Sequence, residues 1–142
     1  MENQTPSSLL ISSVDAACHA AMQLKKKKRE PFTCLILRVE HGKQAYDIIP
    51  VYSTSYELSV EGARQQIAES YPQLFLYVIV CDGTVTRDGA SHDAIVIEAC
   101  EVGQGVRFEF IRPYSPPSLF SKARAEQKLT LVGRQPERNH VA

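Results

Sequence analysis

Apolar residues recur along this chain in two rhythms, one helical and one alternating, and the switches between them mark its elements. Leu10, Val14, Ala17, Cys18, Ala21 and Met22 fall at helical spacing behind Thr5-Pro6, which joins a favoured N-cap to proline at the first helical position. Pro31 closes this helix by biasing Glu30 away from the α region. Thr33 to Glu40 then alternates: Thr33, Leu35, Leu37 and Val39 form one face, and Cys34, Ile36, Arg38 and Glu40 the other. A turn at His41-Gly42-Lys43-Gln44 leads into a second strand, Ala45 to Tyr52. Pro50 cannot donate to a ladder, so that strand belongs at an edge or ends there.

Helical spacing returns near Ser59 with Val60, Ala63, Ile67 and Tyr71, and Pro72 stops it. Gly62 in the first turn costs up to ~1 kcal/mol relative to alanine and blurs the start. Leu74 to Cys81 is apolar on both faces, as a central strand covered from both sides should be. Ala94 to Val102 and Val106 to Ile111 complete a meander around Gly103-Gln104-Gly105, with Val106, Phe108 and Phe110 opposed to Arg107 and Glu109.

Beyond Arg112-Pro113 the texture changes. Ser115-Pro116-Pro117 reads as a linker, Leu119 to Leu131 as a weak helix, and the chain from Gly133 as a disordered polar tail. The expected fold is therefore α+β: a small mixed or antiparallel sheet of about five strands in the order α-β-β-α-β-β-β, with a short C-terminal helix. Residues 1–114 make one domain and residues 115–142 a C-terminal extension. The element order resembles that of small α+β dimers serving as secretion chaperones or adaptors, a likeness of fold that assigns no residue.

Composition narrows the function classes. At 142 residues the chain buries roughly 70% of its unfolded surface without staples. Sixteen basic residues balance sixteen acidic ones, which argues against a globally basic nucleic-acid binder and leaves little repulsion between copies. Cys18, Cys34, Cys81 and Cys100 show no metal or redox spacing and sit among apolar neighbours, so they are expected buried and reduced, without disulfides. No apolar run reaches the ~20 residues that span a bilayer. Met1-Glu2-Asn3-Gln4 lacks the basic start of an export signal, so the expected setting is the cytoplasm.

Candidate chemistry concentrates between Asp82 and Asp93. His92 could act as a general base oriented by Asp93 or Asp88, with Arg87 holding an anion. Alternatively, Asp82, Asp88 and Asp93 could offer oxygens to a hard cation. Both Asp82-Gly83 and Asp88-Gly89 are also ordinary hairpin signals, and the spacing fails the EF-hand pattern. Lys25, Lys26, Lys27, Lys28 and Arg29 could meet phosphates or an anionic membrane surface, although cations at a helix C-terminus also suit its dipole. His41-Gly42-Lys43 lacks the upstream glycine of a phosphate loop, since Leu37 stands there. Glu40, Asp47 and Glu98 could gather as a carboxylate cluster, but single acids on a half-wet face explain them more simply.

No nucleophile elbow, dinucleotide fingerprint or zinc-protease helix is present, and no residue pattern calls for a metal or cofactor. The expected function is a non-catalytic adaptor that binds a protein partner, as a homodimer whose partner copy covers the central strand. An enzyme or small-ligand or metal binder working through the Asp82–Asp93 loop is the first alternative. Weak binding of nucleic acid or a membrane surface through Lys25 to Arg29 is the second.

Overall fold

The computed structural model describes residues 4–27, 34–43, 45–52, 55–115, 124–125 and 129–138. Helix α1 spans Ser8–Lys27 and α2 spans Tyr56–Ser70, followed by a 3-10 turn at Tyr71–Gln73. The strands are β1 (Cys34–Glu40), β2 (Asp47–Val51), β3 (Leu74–Arg87), β4 (Ala90–Glu101), β5 (Val106–Ser115), the two-residue β6 (Arg124–Ala125) and β7 (Thr130–Pro136). They form one sheet in the order β2-β1-β3-β4-β5, with the far side of β5 shared by β6 and β7, and every pairing is antiparallel.

The expectation of about five strands and a C-terminal helix is corrected. Among the described residues six full strands are present, and Thr130–Pro136, on the stretch read as the end of a helix and the start of a disordered tail, pairs with β5. Its alternation is weak because it is an edge strand with little to bury, so periodicity alone does not reveal it. Of the rest of the expected helix, Arg124–Ala125 form β6 instead, and 119–123 and 126–128 lie outside the described residues.

Alternation splits the sheet into two faces. Leu35, Leu37, Leu76, Val78, Val80, Ile95, Ile97, Val106, Phe108 and Phe110 pack beneath α1, whose stripe from Leu10 to Met22 is buried as its spacing requires. The cap is Ser7, not Thr5: the Ser7 hydroxyl accepts from the Leu10 N–H at 3.0 Å. Cys34, Ile36, Val51, Leu74, Tyr77, Ile79, Cys81 and Cys100 form the second core beneath α2. Helix α2 starts earlier than expected because Ser55 caps it, its hydroxyl accepting from the Leu58 N–H at 3.2 Å. The central strand β3 is thus covered on both faces by helices of its own chain, and the need for a partner copy there falls away.

The covers are unequal. Helix α1 lies over β1, β3 and β4, whereas α2 lies over β2, β1 and β3. On α2's side the β4–β5 half of the sheet therefore carries polar residues, among them Glu98, Arg107 and Glu109.

Only one of the two Asp-Gly pairs turns the chain. Asp88 and Gly89 both have positive φ, 54° and 76°, the two-residue primed turn that matches strand twist. Gly83 instead lies within β3 opposite Ala94, where a Cβ would stand 3.0 Å from Val96 Cγ2. Gly89→Val should therefore destabilise the protein by about 1–2 kcal/mol through the left-handed backbone. A denaturant midpoint unchanged from wild type would contradict that turn.

Candidate functional site

The residues expected between Asp82 and Asp93 are drawn out along the β3–β4 hairpin. Asp82 and Asp93 share the α1 face near Tyr114, whose hydroxyl donates to Asp82 Oδ1 at 2.5 Å. Burial first, then these carboxylates, raise the Tyr114 hydroxyl above its usual range. Arg87 and His92 occupy the opposite face by register, and Asp88 sits in the exposed turn. The hairpin thus divides the five between two faces and a tip. Among the described residues no group of three or more His, Cys, Asp or Glu could hold a metal ion. In the basic run, Lys25–Lys27 close α1, their side chains undescribed, and Lys28 and Arg29 lie outside the described residues.

The proposed carboxylate trio is dispersed, each acid with its own cation. Glu40 pairs with Lys43 at 3.1 Å and Asp47 with Arg38 at 3.7 Å. Glu98 holds far more. Its Oε1 lies 3.1 Å from Arg107 Nη1, 3.4 Å from Arg138 Nη2 and 3.5 Å from Arg64 Nη2, while Oε2 accepts from the Tyr77 hydroxyl at 3.0 Å. Burial alone would raise the Glu98 carboxyl, but the three guanidiniums outweigh it and hold the group below the usual carboxylate range. Burial and the Glu98 charge push the Tyr77 hydroxyl up, so it stays a donor.

A second carboxylate locks the neighbouring turn. Glu137 accepts from the N–H groups of Gly103 and Gly105, each at 2.9 Å, and from the Tyr71 hydroxyl. Both Arg138 and Glu137 come from the stretch that composition reads as a polar tail. Four elements and the segment after β7 supply the Glu98 cluster, so no local spacing announces it.

The expectation of four reduced cysteines without disulfides is also corrected. Cys34 and Cys81 stand directly opposite on β1 and β3 with Cα atoms 4.3 Å apart, and they form a disulfide. The sequence separation of 47 conceals the pair, which only register reveals. Cys18 and Cys100 are free and buried, and burial pushes their thiols up to about 11 and about 12.

Exposed large apolar side chains are distributed unevenly. Of the eight among the described residues, five (Tyr46, Ile48, Tyr52, Tyr56 and Leu58) fall on β2, its flanks and the start of α2. Alternation places Tyr46, Ile48, Pro50 and Tyr52 on one side of that edge. The side is that of Leu35 and Leu37, which pair with Pro50 and Ile48. Comparison with protein-family models, curated proteins and solved structures found no match to this chain. Among the described residues no helix is long and apolar enough to cross a membrane.

Proposed function

We propose that this chain is a non-catalytic binding module that pairs with a second copy of itself through the β2 edge. The observation that carries this is the apolar stripe Tyr46, Ile48, Pro50 and Tyr52, which prolongs the α1-side core past the last strand that α1 covers. Isolated exposed apolar residues are ordinary, but Tyr46, Ile48 and Tyr52 follow one another along a single edge, the kind of grouping that marks interaction sites. A zero net charge adds no repulsion between copies.

Backbone geometry favours side-chain docking over an extended ladder. The 4.3 Å spacing of Cys34 and Cys81 is that of a non-hydrogen-bonded antiparallel pair. Cys34 therefore turns its backbone polar groups toward Val51, and the Leu35–Pro50 pair is the next non-bonded one. The nitrogen of Pro50 then faces the free edge, where it offers no donor to an incoming strand. The partner is held by buried Tyr and Ile side chains.

Ile48→Glu and Tyr52→Glu should each weaken the dimer tenfold or more, since each places an unpaired charge in the contact. Sedimentation equilibrium across a micromolar series checks it. A wild-type chain that stays monomeric throughout would overturn the proposal. Cytoplasmic residence belongs to the same reading and requires burial to shield the Cys34–Cys81 bond from glutathione; an oxidising compartment would preserve it unaided. Alkylation-trapped protein with four free thiols on isolation from the cytoplasm would mean that the bond does not form there.

A further inference from the structure

Between α2 and the half of the sheet it leaves open lies a cavity of about 180 Å³, away from the β2 stripe. Its walls join an apolar floor of Val60, Ile79 and Val96 to the charged groups of Arg64 and Glu109, with Tyr56 beside them. From this arrangement we propose a binding site for a small zwitterion, an α-amino acid with a medium-sized apolar side chain.

Arg64 is the cationic end. Of the three arginines around Glu98 it is the most distant, at 3.5 Å, and the most exposed, 43% against 16% and 31%. Its Nε is buried and has no hydrogen-bond acceptor among the described residues. A guanidinium takes carboxylates through paired N–H bonds, and the exposed part of the Arg64 side chain lines the cavity where an arriving carboxylate would meet it.

Glu109 is the anionic end. It stands directly across from Glu98 on the paired strands β4 and β5, a like-charge juxtaposition that destabilises a sheet. Glu98 is answered by three arginines, whereas Glu109 has no ion pair or hydrogen bond among the described residues. Gly133 makes room for it: a Cβ there would stand 3.0 Å from Glu109 Oε1. A ligand ammonium would supply the missing countercharge.

Charge and size narrow the ligand further. Glu98 and Glu109 both line the cavity, so a phosphate dianion would meet two carboxylates against one exposed guanidinium. The volume slightly exceeds the ~150 Å³ cavity that admits benzene, enough for a leucine- or methionine-sized molecule and too small for a nucleotide.

Thermal-shift and calorimetric titration of the full chain should use leucine, valine, methionine and phenylalanine at millimolar concentration. The matching amines, the matching carboxylic acids and inorganic phosphate are the comparators. At least one amino acid should raise the melting temperature and bind about tenfold or more tightly than its single-charge analogues, with no response to phosphate. Arg64→Gln and Glu109→Gln should each abolish the shift while leaving the circular dichroism spectrum unchanged. If Arg64→Gln loosens the fold through Glu98, Glu109→Gln alone decides, since that side chain has no other bond among the described residues. No shift with any amino acid, equal binding of the single-charge analogues, or a shift that survives Glu109→Gln would overturn the proposal.

Discussion

Replacing Cys34 and Cys81 together by alanine should lower stability by about 4 kcal/mol and the melting temperature on the order of 10 °C. The disulfide closes a loop across a separation of 47 residues, and in the chain-entropy account most of its effect lies in restricting the unfolded chain. Both residues are almost fully buried in the core beneath α2, so reductant should act slowly and chiefly on opened molecules. Wild-type protein in reductant should approach the melting temperature of the double variant, and the variant itself should ignore reductant. Thiol counting gives an independent check. Unfolded but unreduced protein should label two cysteines, Cys18 and Cys100, and the native protein neither, because burial disfavours their thiolates. A melting temperature indifferent to reductant in the wild type would remove the bond from the account. Cys81 also lines the cavity beneath α2, so the bond braces one wall of the proposed ligand site.

What could be read from the sequence was what repeats locally. The α1 stripe recurs at helical spacing over Leu10 to Met22, and all six of its residues are buried. Val106, Phe108 and Phe110 alternate against Arg107 and Glu109, and β5 is buried in the same rhythm. Pro50 announced an edge strand by chemistry alone, and β2 is one. The failures share a different cause. Asp82-Gly83 and Asp88-Gly89 are equivalent as text, and only the β3–β4 register decides that the second turns while the first continues a strand. Strand β7 has too little apolar surface to show a period, and it is held by pairing with β5 and by contacts from Glu137 and Arg107. Arg64, Glu98, Arg107 and Arg138 lie far apart in sequence, and nothing in their spacing forecasts one shared carboxylate. Long-range pairing, more than propensity, placed the chemistry.

Glu98→Gln should destabilise the protein by about 3 kcal/mol at neutral pH, because it keeps the shape of the side chain while removing the one charge that three guanidiniums share. The Arg64 share is the smallest, since that side chain is the most exposed and best screened. The amide oxygen replaces only one of the two carboxylate oxygens: kept toward the arginines, it leaves the Tyr77 hydroxyl to accept from the amide N–H, so the loss includes that exchanged hydrogen bond. The same cluster fixes the direction of the pH response. The folded carboxyl is held below the ~4.3 of an unfolded glutamate, so its stabilisation is complete above that value and fades as pH falls through the folded one. Wild type should therefore lose more stability on acidification from about pH 5 than Glu98→Gln does, and the gap between them should narrow. Parallel melts across that range test the assignment. A gap of constant size would mean that the arginines do not sense the Glu98 charge, and their convergence would then be packing without electrostatic consequence.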